Sequence, residues 1–270
     1  MLIDTHCHLD AAEFDADRDS VIQAALNQNV KMMVIPAVHR NSFSSIIAIA
    51  KQHACCAYAL GIHPMYVGQS QPEDLAFLAE LLSQQMQSDN PPVAIGEIGL
   101  DYFVADYDKA LQTFYFTEQL KLAKQFDLPV ILHVRRAIDD ILKLLRQTKV
   151  RGGIAHAFNG SLQQAEQFIE LGFKLGFGGA LTYPRALKIR ELVSTLPLEA
   201  IVLETDAPDM PPEWLENGQR NTPNQLSKVA ETIASLRHIK HSQVAEITRF
   251  NSLKILPKLG ELFTPDNVLH

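Results

Sequence analysis

The sequence predicts an α/β protein built as a (β/α)8 TIM barrel with a C-terminal helical cover. Three observations carry that expectation. Eight short apolar runs rich in β-branched residues recur along the chain, the segments between them have helical periodicity, and histidines or carboxylates stand at the ends of several runs. The runs cover residues 2–6, 31–38, 56–62, 93–98, 129–134, 152–158, 173–181 and 200–205. Marked by their ends at His8, Val38, His63, Glu97, His133, His156, Leu181 and Asp206, they are spaced from 23 residues (His133 to His156) to 36 residues (Glu97 to His133). Such an interval holds a strand, a loop, a helix and a return loop. Strands alternating with helices imply a parallel sheet, and eight units in about 250 residues match a closed barrel. An open, doubly wound sheet is the competing topology. The barrel is favoured because residues from runs 1, 4, 5, 6 and 8 meet readily only when the first and last strands are neighbours.

Taken in order, the first run ends in Thr5-His6-Cys7-His8. Side chains alternate across a strand, so His6 and His8 face one way and Cys7 the other. Between runs 2 and 3, Phe43, Ile46, Ile47 and Ala50 recur at helical spacing, as do Leu75, Leu78, Ala79, Leu82 and Met86 between runs 3 and 4. Ser70 with Glu73 reads as the capping box of that second helix. Ile138, Ile141, Leu142 and Leu145 mark a helix after run 5. Ser161 with Gln164 caps the next, and Gly172 stops it after Leu171. Pro208, Pro211 and Pro212 open a loop that reaches about Pro223. Leu226, Val229, Ala230 and Ile233, then Val244 and Ile247, give the last barrel helix and the cover. No linker, charge block or low-complexity stretch divides residues 1–270, which read as a single TIM-barrel domain.

Composition sets further bounds. With 47% hydrophobic residues, 270 residues can bury one large core or two small ones. No apolar run approaches the roughly 18–20 residues of a membrane span, and the first run meets His6 without a basic leader, so no secretory signal is expected. Cys7, Cys55 and Cys56 lack zinc-ribbon spacing and suit a reducing, cytoplasmic compartment. A net charge of −7 argues against a protein that coats nucleic acid through a basic surface. It does not exclude a nucleic-acid enzyme, because bound divalent cations bring positive charge into the pocket themselves.

The chemistry lies at the run ends. His6, His8, Glu97, His133, His156 and Asp206 all stand there, at the face where barrels of this kind build their sites. Singly, each histidine is as readily a packed core residue as a ligand. Six such groups on five strand ends are hard to explain by packing, because unpaired buried imidazoles and carboxylates are costly. They are also more ligands than one catalytic ion with an open position uses. With Glu97 bridging, one ion would take His6, His8, Glu97 and Asp206, and the other Glu97, His133 and His156. A water between two such ions, roughly 3.5–4 Å apart, is acidified enough to attack near neutral pH, with Asp206 accepting its proton. Glu97 and Asp206 are thus the catalytic candidates. Glu204, two residues before Asp206, either orients a ligand or pairs with a base inside the barrel; the first is favoured. Four imidazoles suit Zn²⁺, Mn²⁺, Fe²⁺ or Ni²⁺.

Particular segments make a resemblance specific. Asp4-Thr5-His6-Cys7-His8, Gly61-Ile62-His63-Pro64, Gly96-Glu97-Ile98-Gly99-Leu100-Asp101-Tyr102, His133-Val134-Arg135, His156-Ala157-Phe158-Asn159-Gly160 and Leu203-Glu204-Thr205-Asp206-Ala207-Pro208 resemble, in order, the TatD family of metal-dependent deoxyribonucleases, a branch of the amidohydrolase-like barrels. The resemblance implies the same two-metal assignment, places His63 near the substrate, and implies activity supported by Mg²⁺. Two segments depart from the family pattern. Arg135-Arg136 stands where an acid often follows the basic residue, and Arg220-Asn221-Thr222-Pro223 replaces an Arg-Asn-Glu-Pro-like segment.

The expected function is therefore metal-dependent hydrolysis of DNA phosphodiesters, with 3′–5′ exonuclease action on single strands or ends as its specific form. A monomer is expected, with two divalent ions (Mg²⁺ or Mn²⁺ in activity, Zn²⁺ as a bound form). His63, Arg135, Arg220 and Tyr102 are the substrate-binding candidates, with Arg185 and Tyr183 as further rim residues that could meet a phosphate or a base. The alternative is a binuclear hydrolase of small esters, amides or phosphoesters on the same barrel. Glu97, standing where cyclic-amidase relatives use a carboxylated lysine, counts against the amide branch. A non-catalytic metal-holding scaffold is the third reading, and the acidic balance disfavours it as a DNA binder.

Overall fold

A computed structural model describes residues 1–216 and 218–262; the last eight positions of the 1–270 span lie outside the described residues. Among these residues eight strands form one parallel sheet in sequence order: β1 (Leu2–Asp4), β2 (Val30–Pro36), β3 (Cys56–Leu60), β4 (Ala94–Asp101), β5 (Val130–Arg135), β6 (Gly153–Ala155), β7 (Phe173–Phe177) and β8 (Ile201–Leu203). Just past the ladders the two ends of the sheet meet. The Thr5 amide donates to Leu203 O (3.0 Å), and the Asp206 amide donates to His6 O (2.9 Å). The expected barrel is the observed one.

Among the described residues ten α-helices accompany the strands: α1 (Arg18–Asn27), α2 (Phe43–Gln52), α3 (Pro72–Gln85), α4 (Lys109–Gln125), α5 (Ile138–Thr148), α6 (Leu162–Glu170), α7 (Leu187–Thr195), α8 (Leu226–Arg237), α9 (His241–Ile255) and α10 (Pro257–Leu262). Among the described residues none is long and apolar enough to cross a membrane. α6 starts and stops as its sequence predicts. Ser161 Oγ accepts from the Gln164 amide, and Gly172 turns the chain away at φ +86°. α3 starts one residue later than expected. Pro72, with no amide to satisfy and φ already fixed, takes the first helical position, so Asp74 rather than Glu73 accepts from the cap amide, that of Gln71. Ser70 Oγ instead donates to Tyr66 O.

Strand alternation sorts the core into two layers. Ile3, Met32, Val34, Ala57, Ala59, Ala94, Ile131, Ile154 and Val202 fill the barrel, while Met33, Ile35, Val130, Leu132, Ile201 and Leu203 pack outward. The C-terminal cover plugs the floor of the barrel, because Ile255, Leu256 and Leu259 join the inner layer. Each such burial contributes about 1.5–3 kcal/mol. Asn251 on α9 donates to Leu198 O and Ile201 O (2.9 and 2.7 Å), tying the plug to the entrance of β8. The opposite mouth is left for chemistry.

Several strands are shorter than their apolar runs. Run 7 reached Leu181, but β7 ends at Phe177 and residues 179–182 form a 3-10 turn. His6, His156 and Asp206 likewise lie beyond the last ladder residue. Leaving the ladder frees the backbone to take turns that aim side chains inward: Ala157 and Asp206 have φ of +45° and +57°, a region few non-glycine residues adopt. β4 is longer than its run and carries an irregularity. Ile95 pairs with Val130 but Ile98 with Leu132, so β4 holds one extra residue there, as in a β-bulge.

Candidate metal centre

All six sequence-predicted ligands meet at the open mouth of the barrel. His6 Nε2 lies 3.2 Å from His8 Nε2, 3.2 Å from Glu97 Oε2 and 3.4 Å from Asp206 Oδ1. His8 Nε2 lies 3.6 Å from Glu97 Oε2 and 3.5 Å from Asp206 Oδ1. A tetrahedral ion with bonds of about 2.0–2.1 Å keeps its ligand atoms about 3.3–3.4 Å apart. These donors therefore stand at the spacing one divalent cation imposes. The other oxygen of Glu97 serves a second set: Oε1 is 2.9 Å from His133 Nδ1, 3.4 Å from His156 Nε2 and 3.4 Å from His63 Nε2. Nitrogen and carboxylate donors of this kind fit a transition-metal or zinc ion.

Each donor is held from behind. Asp4 accepts from the His6 amide (3.2 Å), the Thr205 amide (3.0 Å) and Thr205 Oγ1 (2.6 Å), which fastens the first strand to the last. Asn221, fully buried, donates to Thr205 O and Asp209 O (2.8 and 3.0 Å) and so braces the loop bearing Asp206. Glu204 stands behind His156, with Oε1 3.4 Å from Nδ1 and accepting from the Ala157 amide at 2.5 Å. Gly176 makes the room, since a Cβ there would lie 2.1 Å from Glu204 Oε2.

Sequence reasoning missed three supporting residues. Asp101 Oδ2 lies 2.9 Å from His133 Nε2, the ring nitrogen not turned to Glu97. The available signal was its place on β4, four residues after Glu97 and on the same face. On α4, Gln112 exchanges two hydrogen bonds with the Asp101 backbone (2.9 and 3.0 Å), and Gln119 does the same for Ile62 (2.6 and 3.0 Å), beside His63. Two buried glutamines seven apart on one helix face were the readable trace.

Charge is distributed unevenly through the cluster. Burial would push Glu97 up, but His63, His6 and His156 and the hydrogen bond with His133 hold it well below the usual carboxylate range. Asp206 is likewise opposed by burial yet brought down to about 2 by His156 and His8. Burial lowers His6, and lowers His63 to about 4. Against burial, the carboxylates raise His133, His8 to about 9 and His156 to about 10. Both carboxylates are thus ionised and ready to bind a cation. His63 Nδ1 accepts from the Met65 amide (3.1 Å), so its proton is carried on Nε2, facing Glu97.

The cluster floors a cavity of about 430 Å³ whose walls include Asp10, Glu13, Val38, Tyr66, Pro208 and Asp209. A cavity of about 650 Å³ opens beside Tyr183 and Arg185. The rim residues differ in what they already touch. Tyr102 donates to Asp140 (2.9 Å), and Arg135 packs over Phe103. Arg220 is committed to the Glu13 carbonyl and the Asp17 carboxylate and covers Phe14. Arg185 lies 5.3 Å over the Tyr183 ring.

Comparison with known proteins points to one family. The family model described as TatD related DNase matches residues 3–257. The chain is 41% identical over 245 residues to YjjV of Escherichia coli K12, named an uncharacterized metal-dependent hydrolase, covering 90% of this chain and 93% of that one. It is 34% identical over 271 residues to the human deoxyribonuclease TATDN3, covering 97% and 96%. The crystal structure of the Escherichia coli YjjV, a TatD homolog, superposes with a TM-score of 0.90 at 39% identity, covering 95% of this chain and 98% of that one.

Proposed function

The chain belongs to the TatD-related DNase family of metal-dependent hydrolases, and from that premise we propose that it hydrolyses the phosphodiester bonds of DNA with two divalent cations, which Glu97 and the histidines around it would hold. The observation that carries the reading is the division of one carboxylate, with Oε2 turned to His6 and His8 and Oε1 to His133 and His156. His6, His8, Glu97 and Asp206 would hold one cation, and Glu97, His133 and His156 the other. When bound, the cations supply positive charge at the phosphate oxygens and make a water acidic enough to attack near neutral pH.

The residues do the rest. Glu97, buried and ionised, fixes both halves of the site at one spacing. Asp206, 15% exposed at the cavity wall, accepts the proton of the attacking water. His63 presents Nε2–H to an oxygen of the phosphate. Asp101 and Glu204 keep the rings of His133 and His156 from turning. Arg135, beside Asp101, and Tyr102, held by Asp140, are the nearer substrate contacts, and Arg220 joins them only by leaving Asp17. Four neutral imidazoles and two carboxylates would leave two of the four cationic charges uncompensated, which one phosphodiester and one ionised water neutralise.

In its specific form the reading is a 3′–5′ exonuclease, a monomer, working on Mg²⁺ or Mn²⁺ in the cytoplasm; the free thiols of Cys7, Cys55 and Cys56 support a reducing compartment. The test is a 5′-labelled single-stranded oligonucleotide with Mg²⁺ or Mn²⁺, expected to shorten progressively from its 3′ end. Asp206→Asn is expected to abolish cleavage. Cleavage that survives that substitution, or turnover only on a panel of small esters and amides, overturns the proposal.

A further inference from the structure

Two guanidinium groups pack over one exposed ring at the mouth of the barrel. Arg135 Cζ lies 3.7 Å and Arg136 Cζ 4.5 Å from the centroid of Phe103, which is 47% exposed. The group abuts the centre directly. Arg135 Nη1 is 4.0 Å from Asp101 Oδ2, and that oxygen is 2.9 Å from His133 Nε2. Arg136 reaches its place through a φ of +56°, uncommon for any residue but glycine. Among the described residues it has no carboxylate partner; it packs over the Phe103 ring.

A second aromatic pair adjoins the first. Tyr102 and Tyr107 stack at 4.8 Å and 16°, and Tyr107 is 39% exposed. Asp140 on α5 anchors both ends of this loop, accepting from Tyr102 Oη (2.9 Å) and Lys109 Nζ (2.6 Å). The rings are therefore displayed by a tethered segment.

Packing on a ring orients a guanidinium plane while leaving N–H edges for a phosphate. Planar cations beside exposed rings match the alternating phosphates and bases of a strand whose bases are unpaired. A duplex keeps its bases inside and offers such rings little. The chain carries a net charge of −7, so a cationic pair next to the centre, of which Arg135 faces Asp101 and Arg136 faces no carboxylate among the described residues, is not part of a generally basic surface. Resting on the phosphodiesterase reading above, we propose that the 102–108 loop with Arg135 and Arg136 is the platform for single-stranded DNA flanking the cleaved phosphate. Arg135 and Arg136 take phosphates, and the outer face of Tyr107 takes a base.

The experiment measures binding apart from turnover. A fluorescein-labelled, phosphorothioate-linked ten-nucleotide thymidine strand is titrated by anisotropy with the Mg²⁺-loaded full-length protein. Arg136→Glu and Tyr107→Ala are each expected to weaken binding about tenfold, on the scale of one lost phosphate or stacking contact. Arg136→Glu should also reduce the slope of log affinity against log salt by roughly 0.7; Tyr107→Ala should not. A melting curve confirms that each variant folds, and Arg136→Gln replaces Arg136→Glu if it does not. Unchanged affinity in the variants overturns the platform, and equal displacement by a blunt duplex overturns its single-strand character. If the strand binds through these residues but unmodified DNA is never cut, the platform stands and the phosphodiesterase reading falls. DNA cleavage with unchanged binding in the variants does the reverse.

Discussion

Asp101 and His133 meet through Oδ2 and Nε2 at 2.9 Å, and Asp101 is fully buried. The His133 hydrogen bond helps hold Asp101 below the usual carboxylate range against burial. A carboxylate behind a ligand imidazole fixes ring orientation and raises its basicity, and losing it typically costs 10–100-fold in metal affinity. Asp101→Asn is accordingly expected to weaken one class of bound Mn²⁺ by about 10–100-fold while sparing the class that uses His6 and His8. Titration calorimetry reads both classes. Equal affinities in wild type and variant would show that the contact is only structural.

Glu97 has a wider reach, since its two oxygens face different histidines. If two cations share it as proposed, Glu97→Gln is expected to drop the metal content of purified protein by more than half, and DNA cleavage by at least about a hundredfold. Elemental analysis alongside the nuclease assay checks it. A variant that keeps both ions speaks against sharing.

Behind His156 the tight spot is Gly176, whose added Cβ would meet Glu204 Oε2 at 2.1 Å. Gly176→Ala should destabilise the fold by about 1–3 kcal/mol through overpacking. In a Glu204→Ala background most of that penalty should vanish, because contacting residues couple. Urea unfolding of the four proteins measures the cycle, and full additivity would refute it.

Far from the centre, Asp74 joins Arg40 Nη1 (2.7 Å) to the start of α3. Burial would raise its carboxyl, but Arg40 and the Gln71 amide outweigh burial and bring it below the ordinary value. A depressed folded pKa contributes stability that is present above the unfolded value, near 4, and is lost as pH falls through the folded one. Asp74→Asn should therefore cost about 1–2 kcal/mol at pH 7, as for a lost cap, with the gap closing below about pH 4. Denaturant melts at the two pH values decide; a gap that widens in acid reverses the sign.

Much of this was legible in the chain because it rests on period and position. The eight runs, the helices around Leu78 and Ile141, and the convergence of His6, His8, Glu97, His133, His156 and Asp206 all follow from which face a side chain takes. What was hidden depends on local exceptions. The extra residue near Glu97 and the left-handed turns at Ala157 and Asp206 alter where strands end without altering composition. Pro72 moved the α3 cap by one residue. Asp101 was passed over because a carboxylate inside a motif does not announce which ring it will face. Arg220 shows the converse, since nothing in its neighbourhood foretold that Asp17, 203 positions away, would engage it.

The seam between β1 and β8 sets an order of events in the cell. His6 and His8 emerge first from the ribosome, whereas Asp206 follows about 10–40 s later at ordinary elongation rates. Throughout that interval the early histidines have neither Asp206, the later of their two carboxylate partners, nor the Thr205 hydroxyl that ties Asp4 in place. A nascent chain or a proteolytic fragment lacking β8 therefore holds no finished cutting tool, and the hydrolytic power comes into being only with the last turn of the barrel.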